Sequence, residues 1–370
     1  MGNTALSTHG GGLGAAGFAE YHGATTASRF TDSQAEFDAL RSGCGVYDLG
    51  FRAKVSITGG DRVRWLNGML TNNIRDLAVG QGVYAFLLNP QGHILADLYA
   101  YNRGDTITLD TDRSQLEKIL ATFDHYIIMD DVEVKDLSAE VTSLGIAGPR
   151  SREVLLAAGI EVPEANPLQV VEARCTCACD CVRCTAVRGD NASPENYELW
   201  LAPAHVKQSW DALIAHGATA VGFGALELQR IALGIPAYGV DIRERDLPQE
   251  TEQARALNFN KGCYIGQEIV ERIRSRGAVH RKFTSFIMDG AASISAGMKI
   301  GAGEKEVGEI TSVASLRLAG EQKTIALGYI RREVASPGRE VLIGGETAKV
   351  VPSGLDWEGR EEHVVEQRGA

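Results

Sequence analysis

The sequence predicts an α+β fold that ends in a separate small β-barrel, and three features carry that expectation. At 370 residues the chain exceeds what one hydrophobic core usually organises. Between residues 60 and 217, stretches of helical spacing are mixed with a hairpin. Beyond residue 283 the helical period disappears, and short β-branched runs alternate with glycine-containing turns.

Residues 1–20 are rich in Gly, Ala, Ser and Thr, with too little apolar surface to offset the entropy of ordering them, so a flexible leader is expected. In DRVRWLNGML, Val63, Leu66 and Leu70 stand at helical spacing behind Asp61, whose charge suits a helix start. Residues 84–88 and 94–101 flank Asn89-Pro90-Gln91-Gly92, a turn sequence, and should pair as a hairpin. Ser114 and Glu117 form a capping-box pattern ahead of Leu116, Ile119, Leu120, Phe123 and Ile127, which predicts a second helix. Val206, Trp210, Leu213 and Ile214 predict a third, with Gly217 as its stop. The runs 283–288, 307–313, 324–330, 340–343 and 347–351 build the barrel, placed at 281–362, with a tail at 363–370.

Hydrophobic residues at 44% and charged residues at 23% are ordinary for a globular protein, and the net charge of -11 disfavours direct nucleic-acid binding. No window approaches the roughly 18 uninterrupted apolar residues of a membrane span, and the first 20 residues lack the apolar block of a secretory signal. A cytoplasmic protein without membrane contact is expected. Seven cysteines, five of them crowded between residues 175 and 184, look like thiols in a reducing compartment rather than a disulfide framework.

The densest chemical signal is Asn260-Lys261-Gly262-Cys263-Tyr264-Ile265-Gly266-Gln267-Glu268. Glycines flank the cysteine, and Ile269 to Ile273 predict a helix that starts just after Gly266. A helix N-terminus and Lys261 nearby would favour the thiolate and make Cys263 a nucleophile or a ligand for cluster iron. The alternative is a small residue buried in a tight turn.

This stretch resembles the K-G-C-Y-x-G-Q-E signature of YgfZ-type folate-binding proteins, matched by Lys261, Gly262, Cys263, Tyr264, Gly266, Gln267 and Glu268. The blocks from Leu226 to Pro236, Gly239 to Ile242 and Leu247 to Glu250 resemble those that precede the signature in that family, and Gly60-Asp61, Leu70-Thr71-Asn72, Gly148-Pro149-Arg150 and Gly308 to Ser312 also fit. The resemblance spans residues 25–352. It implies the fold of the related glycine-cleavage T-protein, an aminomethyltransferase: a folate-binding region of two α+β modules, here residues 21–280, and a C-terminal β-barrel. It also implies tetrahydrofolate as cofactor. Glu198 takes the place of the pterin-facing glutamate and Arg230 that of the arginine of the same site, with Tyr84 and Tyr197 as stacking surface.

The segment Gly92-His93-Ile94-Leu95-Ala96-Asp97 departs from the paired aspartates of the transferases, with Ala96 in one of the two places. Asp97 is then the single remaining catalytic carboxylate, which disfavours aminomethyl transfer; the YgfZ resemblance implies instead a role in the assembly or repair of iron–sulfur clusters. Partners are then folate and cluster-assembly or client proteins, with an indirect effect on tRNA modification. A tetrahydrofolate-dependent aminomethyltransferase or demethylase using Asp97 is the alternative. Arg272, Arg274, Arg276, Arg281 and Lys282 form a basic run suited to the glutamate tail of a folate, a partner's acidic face or RNA phosphates, and the resemblance implies a functional role for Arg272 and Arg276 without choosing among these. No resident metal is expected, and Cys175, Cys177, Cys179, Cys181 and Cys184 are read as incidental small residues, since ligands on one flat strand cannot close a tetrahedron.

Overall fold

A computed structural model describes residues 2–176, 183–190, 195–277 and 279–351. The chain divides into two units, one of residues 1–88, 95–226 and 255–265, the other of residues 89–94, 227–254 and 266–370.

The first unit carries two α+β modules. In one, the strands Gly82–Leu88, Ile94–Asn102, Ile107–Asp112, Arg52–Thr58 and Glu133–Asp136 lie side by side in that order. The helices Arg62–Met69 and Arg113–Tyr126 pack Leu66, Ile119 and Phe123 against Leu98 and Leu109 of the sheet. The hairpin and both helices follow the predicted spacing. The capping box does not form: the N-cap is Asp112, two residues earlier than expected, and its carboxylate is drawn to Arg52 and His22 instead of the helix amides.

The other module is a seven-stranded sheet, ordered Ile160–Glu161, Val170–Cys175, Arg183–Arg188, Asn196–Leu201, Thr142–Ala147, Gly45–Asp48 and Thr219–Val221. The helix Val206–Ala215 buries Val206, Trp210 and Leu213 on it, and Gly217 follows at φ +99°, as its stop signal predicts. The segment read as a flexible leader is ordered. Gly2–Asn3 pairs in parallel with Ala24–Arg29, Thr4 and Leu6 are buried, and the Thr4 hydroxyl donates to the buried Asp48 carboxylate. The ordering comes from a partner strand and a buried acid, which local composition does not register.

The second unit closes a six-stranded barrel from Arg281–Asp289, Glu321–Arg331, Lys305–Leu318, Lys299–Ala302, Glu340–Ile343 and Glu346–Val351. Phe286, Ile310, Ile330 and Val350 fill it. Lys299–Ala302 has no β-branched run and is the strand the sequence does not announce. Residues 352–362 of the expected barrel and the tail at 363–370 lie outside the described residues. The predicted helix after Gly266 is present at Gln267–Arg276, with Glu268 in its first turn. Of the two glycines flanking Cys263, Gly266 (φ +80°) uses the left-handed region and Gly262 does not. Among the described residues no helix is long and apolar enough to cross a membrane.

Candidate functional site

Two antiparallel strands of the first unit put opposite charges face to face. Arg52 and Lys54 lie two apart on one strand, so both project from the same face, and the register sets them opposite Asp112 and Asp110. Lys54, with no exposed side-chain surface, bridges Asp110 at 3.0 Å and Glu198 at 2.7 Å. Arg52 holds Asp110 through Nε at 3.0 Å and Asp112 through Nη1 at 2.6 Å, and His22 Nδ1 lies 2.9 Å from Asp112. Burial alone would raise the Asp112 carboxyl, but Arg52 and His22 outweigh it and hold it well below the usual carboxylate range. Glu198 is likewise held low, burial being overcome by Lys54 and Arg52. Asp110 goes the other way, because burial and the repulsion of Glu198 raise it.

Glu198, Arg52 and Asp110 line a cavity of about 210 Å³ walled by the rings of Tyr47, Tyr99 and Tyr101. A Cβ on Gly145 would stand 2.0 Å from the Tyr47 ring, so only glycine lets that ring lie across its neighbouring strand. The Tyr99 hydroxyl donates to Asp190 at 3.2 Å, and Arg255 pairs with the same carboxylate while covering the Tyr84 ring at 4.6 Å. Tyr84 donates its hydroxyl to Asp97 at 2.7 Å and Gln115 Nε2 donates to the second oxygen at 2.8 Å. Burial and the nearby Asp112 charge raise the Asp97 carboxyl. Tyr197, one residue from Glu198 on the strand, turns its ring into the apolar core, where its hydroxyl meets Arg152 and Glu195. Tyr197 also lines the cavity, beside the rings of Tyr47, Tyr99 and Tyr101.

Arg230 belongs to the second unit. Its guanidinium forks onto Glu227 with two 2.7 Å bonds and reaches Asp241 at 2.7 Å and Ser312 at 3.0 Å, a set of partners that ties that unit together. In the basic run, Arg281 pairs with Asp246 and Glu250, Lys282 with Glu252 and Arg274 with Glu271, while Arg272 is exposed. The side chain of Arg276 lies outside the description.

Lys261 does not serve the thiol. Its buried ammonium donates to the carbonyls of Asn67, Leu70 and Asn72 at the end of the helix Arg62–Met69, using all three of its donors. Burial and the Arg75 charge lower its pKa to about 7, against the pull of those three acceptors. Tyr264 is buried with its ring 5.0 Å from that ammonium. Cys263 itself is exposed, unlike Cys44, which is buried and whose thiol is pushed up to about 11 by burial despite the Ser151 hydrogen bond. Iodoacetamide at pH 8 should therefore label Cys263 in the folded chain. Cys44 should react roughly a hundredfold more slowly than a simple thiol, because so little thiolate is present. Peptide mapping of timed samples checks this, and equal labelling of the two would contradict the burial.

The sequence singles out Glu198, Asp97 and Tyr84 but not the Arg52, Lys54, Asp110, Asp112 and His22 that surround them with charge. The available signal was a pair of charges of one sign at alternate positions in RAKVSIT and of the other sign in ITLDTD.

The sequence model of the family described as "GCVT N-terminal domain" matches residues 11–261. An aminomethyltransferase of Rubrobacter xylanophilus is 28% identical over 329 residues, 88% of this chain and 86% of that protein. One from Staphylococcus haemolyticus is 24% identical over 335 residues, 88% and 89% of the two chains. The crystal structure of glycine cleavage system aminomethyltransferase T from Bartonella henselae superposes with a TM-score of 0.82 at 20% identity, covering 97% of this chain and 99% of that one, which shows the same fold. With more than half of its length matched by that family model, the chain belongs to the GCVT N-terminal domain family.

Proposed function

We propose that this chain is a folate-binding accessory protein of the YgfZ type that assists the assembly or repair of iron–sulfur clusters, with tRNA modification affected through the cluster enzymes. The observation that carries the folate reading is the Glu198 carboxylate, kept ionised by Lys54 at 2.7 Å on a cavity walled by three tyrosines. A pterin ring presents an aminopyrimidine edge of donors, which a carboxylate accepts in pairs, and a flat face that tyrosine rings cover. At about 210 Å³ the cavity is smaller than those that hold drug-sized ligands, which suits the ring and leaves the glutamate tail outside. Aminomethyltransferase relatives are in keeping with tetrahydrofolate as the ligand. Cys263, exposed and in the signature, would supply the thiol that meets a cluster or its carrier protein as substrate.

The test is activity of iron–sulfur enzymes in cells whose own copy is deleted, supplied with the wild-type chain or with Cys263→Ala. Rescue by the wild type and a loss of at least half of that rescue in the variant are expected, with tetrahydrofolate affinity of the two proteins equal. Full rescue by Cys263→Ala rejects the thiol's role.

A second reading, a tetrahydrofolate-dependent aminomethyltransferase or demethylase, is favoured by the fixed position of Asp97 between Tyr84 and Gln115. There the carboxylate would hold the folate nitrogen that accepts the one-carbon unit. Turnover of an aminomethyl or methyl donor that is lost in Asp97→Asn would support it over the first.

A further inference from the structure

Outside the charged cavity, the described thiols of the seven-stranded sheet form one close pair. Cys175 is the last residue of Val170–Cys175 and Cys184 the second of Arg183–Arg188, and the register pairs Ala173 with Cys184. The two cysteines are thus diagonal neighbours on one face, both buried, with their sulfurs 3.6 Å apart. They sit at the loop end of the hairpin, where the first strand stops and the second begins. Among the described residues no group of three or more metal-binding side chains occurs.

We propose that Cys175 and Cys184 are a redox modification site that closes to a disulfide by exchange with a small-molecule disulfide such as oxidised glutathione. When the hairpin end opens, one thiolate attacks a sulfur of the small disulfide and expels one thiol, leaving a mixed disulfide. The second protein thiolate then attacks the protein sulfur of that mixed disulfide and expels the other thiol. The two protein thiols are oxidised, the small disulfide is reduced to two thiols, and the protons pass to them. Closure needs the sulfurs to move from 3.6 Å to the ~2.05 Å of a covalent bond, within reach of side-chain rotation. The bond would fasten the hairpin whose second strand carries Val187 to the wall of the cavity.

Reduced, folded protein is incubated with oxidised glutathione, acid-quenched, unfolded, alkylated and cut with trypsin. Cleavage after Arg174, Arg183 and Arg188 puts Cys175 and Cys184 on different peptides, but Cys177, Cys179 and Cys181 share the first of them. The experiment therefore runs in parallel on the variant with Cys177, Cys179 and Cys181 replaced by Ser. The expected product joins the two peptides with the loss of two hydrogen atoms, and it disappears on reduction and in the further variant Cys184→Ser. If the triple variant does not fold, fragmentation of the wild-type product places the bond. Recovery of Cys184 as an alkylated thiol or a lasting glutathione adduct, or its joining to a cysteine other than Cys175, overturns the proposal.

Discussion

Replacing Lys54 by methionine should destabilise the protein by about 3–5 kcal/mol, the usual cost of removing one partner of a buried ion pair. Lys54 has no exposed side-chain surface, and its ammonium is shared by Asp110, 2% exposed, and Glu198, 15% exposed. Methionine fills the stem's volume but leaves two carboxylates with only Arg52 to offset their repulsion. Urea unfolding followed by tryptophan fluorescence reads the loss, because the ammonium lies 5.1 Å from the Trp200 ring. The pH dependence supplies a sign that a mere packing defect lacks. In the wild type, Asp112 and Glu198 have folded pKa values below their unfolded ones, so their contribution is fully present above about pH 4.5 and is lost as pH falls through the folded values. In the variant both orphaned carboxylates shift upward, and protonation relieves them. The difference between the two proteins should therefore be smaller at pH 5 than at pH 8. A difference below about 1 kcal/mol, or one independent of pH, would mean that the pair is not held as described.

How much of this was legible in the sequence follows from the range of each interaction. The helices Arg62–Met69, Arg113–Tyr126 and Val206–Ala215 rest on contacts three and four residues apart, which a linear reading sees. The hairpin after Leu88 rests on its own turn. The cation cluster does not: nothing local marks Arg52 and Lys54, and only the register against a strand 56 to 60 residues away makes them buried partners of acids. Lys261 failed similarly. Its nearness in sequence to Cys263 suggested help for the thiol, whereas its reach takes it to helix carbonyls some 190 residues earlier. Tyr197 lines the same cavity, yet strand alternation sends neighbours to opposite faces, so its ring joins the apolar core while Glu198 takes the cavity side.

Glu198→Gln should weaken tetrahydrofolate binding roughly 10- to 100-fold, from the ~1.5–3 kcal/mol of a hydrogen-bonded charge lost to the ligand. The amide keeps the shape of the carboxylate, but half of its head becomes a donor that faces the donors of an aminopyrimidine edge. Lys54 retains Asp110 at 3.0 Å in this variant, so the unfolding midpoint should move far less than in Lys54→Met. That contrast separates a binding role from a structural one. Because Lys54 and Arg52 hold Glu198 below the ordinary carboxylate range, wild-type affinity should also persist as pH falls to about 5, where a carboxyl raised by burial alone would begin to take up a proton. Calorimetric titration with tetrahydrofolate under anaerobic conditions reads both effects. Dissociation constants within threefold of each other for wild type and variant would place the pterin somewhere other than on Glu198, and the charged cluster would then be a stabilising element of the fold alone.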